Sequence, residues 1–138
     1  MASFSLGNVP HFRPSHIFPL LGGVGMVLGA VLPLTNPPNA IRTFGLPEHI
    51  ARSGPAQACF TIYGSRAASL GAALFIFYYQ GKLKAVDTIL SLQAYAGIVD
   101  AYVCWKEGVP RKAVARLATG LLVGAWGIMG LTAGDSTV

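Results

Sequence analysis

Arg66 and Asp100 sit inside stretches that are otherwise apolar enough to cross a membrane, and they carry the clearest chemistry in this 138-residue chain. A charge at the bilayer centre costs about 2.5–3.5 kcal/mol on insertion scales. Two opposite charges at similar depth can offset that cost by pairing. Helix rise gives the depths. Arg66 is nine residues past Gln57, hence about 13 Å in from one side. Asp100 is six residues before Lys106, hence about 9 Å in from the same side if the two spans are adjacent and antiparallel. Long side chains bridge such a difference. Helical spacing adds Tyr63 to the Arg66 stripe and Gln93 to the Asp100 stripe. In that constellation Arg66 is a fixed cation, Asp100 an ionised base, Tyr63 a phenolic donor and Gln93 an amide that can bind substrate. The structural alternative is a charge pair that only fixes helix register. Tyr102 lies nearly opposite Asp100 on its helix, and Arg116 is expected to snorkel to the headgroups.

A second group of polar candidates lies between the first two apolar stretches. Glu48 and His49 can exchange protons near neutral pH, and Phe44 can line a substrate site beside them; as the alternative, Glu48 and His49 are solvated loop residues. No metal-ligand cluster, Ser/His/Asp set or phosphate-cradling loop is visible, so no metal and no cofactor are expected. Cys59 and Cys104 form no C-x-x-C pair or zinc spacing. They fall near helix ends on one side, where a disulfide is geometrically conceivable, but small apolar packing residues are the preferred reading.

The elements that must position these groups are helices in a bilayer. The chain is 53% hydrophobic and 11% charged, against about 25% charged in soluble domains. Uncharged or nearly uncharged runs cover residues 17–34, 57–79, 85–105 and 113–133, each long enough to span. The expectation is one all-α domain over residues 1–138: a polytopic membrane bundle of four transmembrane helices with a long structured first loop. Residues 1–15 read as an irregular tail. Tyr78, Tyr79, Trp105 and Trp126 are candidate interfacial anchors. Gly25 with Gly29, Gly120 with Gly124, and Ala67 with Gly71 carry small-residue spacing that permits close helix contact. Packing within one bundle is preferred over a homo-oligomer seam built on these glycine-rich faces.

Residues 35–56 are too long for a simple connector. Asn36 can cap a helix that starts at Pro37, Gly45 and Pro47 can stop it, and a second short turn can run from Pro47 to Ser53. This segment is either a lid or a plug for one end of the bundle. That end carries Arg42, Arg52, Lys106, Arg111 and Lys112, against Arg13, Lys82 and Lys84 at the other, which favours a cytosolic first loop. The net charge of +5 is scattered and without aromatic interleaving, so nucleic acid is not expected as a partner and anionic headgroups of the lipid bilayer are.

The stretch P-x-x-A-I-R-T-F-G-L-P from Pro37 to Pro47, then Gly64-Ser65-Arg66, then Asp100 ahead of the Gly108 turn, resembles the small four-helix integral membrane proteins of domain-of-unknown-function family 4267, found largely in fungi and bacteria. The resemblance runs over roughly residues 20–131. The family pattern has Asp after the Arg and His early in the last helix, where Ala67 and Arg116 stand here. The resemblance implies four spans and no assigned activity. It also implies service in natural-product pathways, hence an endoplasmic reticulum membrane.

Two functional expectations follow. The first is a membrane enzyme acting on a lipophilic small molecule of polyketide or terpenoid type. Acid–base chemistry such as epoxide opening (an epoxide hydrolase), cyclisation (a cyclase) or isomerisation would suit its groups in secondary metabolism. Asp100, Arg66 and Tyr63 would be catalytic and Gln93, Glu48, His49 and Phe44 would bind substrate. The second is a non-catalytic scaffold or small-molecule carrier. A cavity of several hundred Å³ beside the polar groups separates the two.

Overall fold

The computed structural model describes residues 9–134, and no strand occurs among them. The first eight residues of the expected tail lie outside the described residues. Its end is ordered, since Pro14–His16 form a 3-10 turn that runs directly into the first helix. The helices are α1 (Ile17–Gly29), α2 (Val31–Thr35), α3 (Pro37–Phe44), α4 (Glu48–Ala51), α5 (Gly54–Tyr79), α6 (Leu83–Lys106) and α7 (Pro110–Ile128).

Two segments are long and apolar enough to cross a membrane: Pro14–Thr35, with 22 residues, and α5, with 26. Of the four spans expected from the sequence, two are thus of this kind. α6 and α7 have 24 and 19 residues. Lys84, Asp87, Asp100 and Lys106 lower the apolarity of α6, and Arg111, Lys112 and Arg116 that of α7. α7 also stops short of residue 133, because the chain turns at Gly130 with φ of 64°.

The first apolar segment is interrupted at Ala30. Pro33 has no N–H to give the Gly29 carbonyl, and its ring crowds that group. Pro33 packs on α5 instead. Its carbonyl accepts a bond from Thr61 Oγ1 at 3.0 Å, and a Cβ on Gly64 would come within 3.0 Å of its ring.

α6 and α7 form the tightest pair. A Cβ on Gly97 would stand 2.5 Å from the Gly120 Cα, and Gly124 is pressed on Ala94. Gly71 lies against Met26 and Val27, which seats α1 on α5. Gly25 and Gly29 meet nothing within 4 Å. One small-residue pair therefore packs inside the bundle and the other does not.

α5 and α6 meet beside the turn that joins them. There Leu74 and Tyr78 pack on Val86, Ile89 and Leu90 as the buried core. Asp87, which the sequence places merely near a helix end, is buried at this end and accepts from the Thr132 and Ala133 amides at 3.1 and 2.8 Å. Trp126 stacks on Phe18 at 4.5 Å and donates to Thr132 Oγ1, so it is a packing residue. The buried His16 ring sits 3.1 Å from the Tyr78 hydroxyl. Outward faces are apolar, with Leu21, Leu28, Leu92, Leu122 and Ile128 all exposed.

Candidate functional site

The first loop is built as its punctuation demands. Asn36 Oδ1 accepts from the Asn39 amide, and Pro37 takes the first helical position of α3. Gly45 ends α3 at φ of 113°, a left-handed conformation that favours glycine. The same glycine lets the Lys112 side chain of α7 approach to a distance that a Cβ would block. Ser53 then caps α5 by accepting from Ala56. The result is a helical plug at the end of the bundle away from the α5–α6 turn, with its own Ile41 fully buried.

Under the plug lies a cavity of about 300 Å³, open on one side. Its wall includes Ile41 and Phe44 of α3, Leu46, Ile50 of α4, Phe60 and Tyr63 of α5, and Asp100 and Val103 of α6. Phe44, Phe60 and Tyr63 form a triangle of rings with centroids 5.3 to 6.1 Å apart. Asp100 is the one charged residue among those lining the space. It is half-buried.

The cation facing this site is Arg116, whose charge acts on both Asp100 and Tyr63. Arg116 Nη2 donates to the Phe44 carbonyl at 3.1 Å, and its guanidinium lies 3.9 Å from the Phe44 ring centroid. The snorkelling expected of Arg116 is therefore corrected: it turns inward because an aromatic face and a free carbonyl at the end of α3 await it. A signal for this was present. Arg116 is six residues past the start of α7 and Asp100 six before the end of α6, so tightly packed antiparallel helices hold them at one depth.

The expected Arg66–Asp100 pair does not form. Among the described residues the ion pairs are Arg42–Glu48, Arg52–Glu48 and His49–Glu107. Arg66 is exposed, because the buried side of α5 at that depth is the one through Gly64 and Gly71 that meets α1 and α2. Tyr63 and Phe44 reach the cavity as expected. Gln93 stands two turns from Asp100, half-buried and off the lining. Glu48 and His49 are also off it. Glu48 accepts from Arg42 and Arg52 at 2.7 and 2.8 Å, and these bonds hold its carboxyl down to about 2. His49 Nε2 lies 3.7 Å from Glu107 Oε2, which places the plug beside the α6–α7 turn. Cys59, on the same helical stripe as Tyr63, also lines the α5 wall, together with Ala56 and Phe60, which the sequence did not assign to the site. Cys59 and Cys104 are free thiols.

Helices of membrane length, a helical first loop and an aromatic cavity with a single lining carboxylate define the class of this molecule as an all-helical bundle with an open, largely apolar site. The chain belongs to the family of the Domain of unknown function (DUF4267), whose pattern matches residues 23–130. No curated protein and no solved structure matches it significantly.

Proposed function

We infer that this protein is an integral membrane enzyme of four spans that binds a lipophilic small molecule in the first-loop cavity and moves a proton on it. The observation that carries this reading is the Asp100 carboxylate set in a wall of aromatic and aliphatic side chains. Such pockets bury apolar ligands and orient them with few polar groups. In this role Asp100 takes a proton from water or from a substrate hydroxyl, and the freed oxygen attacks the substrate carbon. Tyr63 gives its proton to the oxygen that leaves, and Asp100 returns a proton to Tyr63. Epoxide opening and cyclisation are the reactions this fits; for isomerisation Asp100 would instead take a proton from one substrate carbon and return it to another. Arg116 takes the orienting part that the sequence assigned to Arg66.

α6 and α7 serve as the third and fourth spans in this reading, supported by their length and apolar outer faces. Residence in the endoplasmic reticulum membrane and work in a natural-product pathway rest on the family resemblance alone. A non-catalytic scaffold or carrier is the second reading, favoured by the engagement of Arg116 with the plug.

The test is conversion of a lipophilic pathway precursor by microsomes carrying wild type or Asp100→Asn, matched for expression and folding. Loss of conversion with normal folding supports the enzyme. Equal conversion by both proteins returns Asp100 to a structural role.

A further inference from the structure

Arg66 is left without a partner at the worst depth for a charge. It is twelve residues past the start of α5 and thirteen before its end, which is the middle of a helix long and apolar enough to cross a membrane. It is exposed and takes part in no hydrogen bond or ion pair among the described residues. Lipid does not supply a counter-charge at that depth, and uncompensated charges there are strongly disfavoured.

The surroundings sharpen the deficit. Arg116 faces the cavity beside the one lining carboxylate, Asp100, and Arg66 lies beyond the lining with no carboxylate of its own. Asp87 cannot help, since both its oxygens are held by amides at the opposite end of the bundle. Glu48 and Glu107 are engaged in the plug with Arg42, Arg52 and His49, so Arg66 has no carboxylate partner among the described residues. Arg66 also lies three residues beyond Tyr63, about 4.5 Å farther along the helix axis. It continues the stripe that Cys59 and Tyr63 present to the cavity. An arginine side chain reaches across that step to the cavity mouth.

We propose that the cavity takes a lipophile bearing a carboxylate, whose apolar body packs among Phe44, Phe60 and Tyr63 and whose carboxylate is gripped by Arg66. A guanidinium fork matches a carboxylate with two parallel hydrogen bonds, and the pair strengthens where water is excluded. The ligand's charge supplies what the protein lacks, so an ester or an amine of the same length is a poorer occupant. This deepens the functional reading above and rests on it: the occupant of the proton-transfer site is an acid, held by a positioning arginine one turn beyond Tyr63.

Equilibrium binding of radiolabelled dodecanoate to the full chain in uncharged-lipid nanodiscs tests this, with empty nanodiscs as the blank and methyl dodecanoate and dodecylamine as competitors. The expected result is at least tenfold preference for the acid over both competitors in wild type. Arg66→Gln should erase that preference and leave the ester's affinity alone, and Arg66→Lys should keep part of it. Arg66 is exposed and in no ion pair among the described residues, and unchanged thermal unfolding of the variants checks that the fold is kept. Equal binding of acid and ester in wild type, both abolished by the cavity-filling Phe60→Trp, overturns the acid preference while leaving the cavity reading intact. Absence of saturable binding by any probe overturns both. A dimer that dissociates on Arg66→Gln without any acid preference also overturns it, and assigns Arg66 to a second copy.

Discussion

The Arg116 guanidinium lies 3.9 Å from the Phe44 ring centroid and donates to the carbonyl of that same residue. One side chain of α7 thus holds the end of α3 by its face and by its backbone. The contact places a cation beside the cavity without lining it, and makes closure of the plug and the electrostatics of Asp100 depend on one group.

Arg116→Gln should loosen the plug by about 1–3 kcal/mol, from the lost cation–π contact and charged hydrogen bond. Hydrogen exchange of residues 37–52 in detergent reads this directly. Arg116→Lys keeps the charge but not the planar fork, and should recover only part of the protection. Unchanged exchange in Arg116→Gln would show the contact to be without weight.

Gly97→Leu should be among the most damaging single changes, because a Cβ there already meets the Gly120 backbone at 2.5 Å. Overpacking of this kind costs about 1–3 kcal/mol and more when backbone must move. Gly25→Leu, which meets open space, is the control and should leave the unfolding midpoint unmoved. Equal effects at the two positions would contradict the α6–α7 seam.

Asp87→Ala removes the acceptor for two amides, Thr132 and Ala133. The expected loss is about 1–3 kcal/mol for each donor left buried and unpaired. It should appear as faster amide exchange confined to the segment after α7, with Asp87→Asn in between. Protection that survives in Asp87→Ala would mean that other groups anchor the segment.

Glu48 gives the plug a pH dependence of known sign. Its carboxyl titrates near 2 in the folded chain against an ordinary 4.5, first through the Arg42 bond and then through Arg52. A depressed carboxyl stabilises above its unfolded value and loses that contribution as pH falls through its folded value. The clasp should be intact above pH 5 and fade between about 4.5 and 2. The group is solvent-exposed, so the effect is local and salt-sensitive. A carboxyl NMR titration of Glu48 with its midpoint near the ordinary value would overturn this.

Much of this protein was legible in the chain. Asn36, Pro37 and Gly45 specify α3 through a cap, a fixed φ and a left-handed stop, all local effects that need no partner. The long apolar runs specify helices, and an all-helical molecule follows. The break between α1 and α2 falls inside the run read as one span over residues 17–34, although its cause, Pro33, is local. Asp100 and Tyr63 were legible by type and depth, and Phe44 only as an aromatic of the first loop.

Tertiary structure decided which charges meet. Depth along a helix can be read from residue counts, but rotation about the helix axis depends on what each face packs against. Gly64 and Gly71 commit one side of α5 to α1 and α2 and leave Arg66 outside. Gly97 and Gly120 bring α6 and α7 so close that Arg116, not Arg66, stands at the level of Asp100. Those contacts join residues far apart in sequence, and no local pattern contains them.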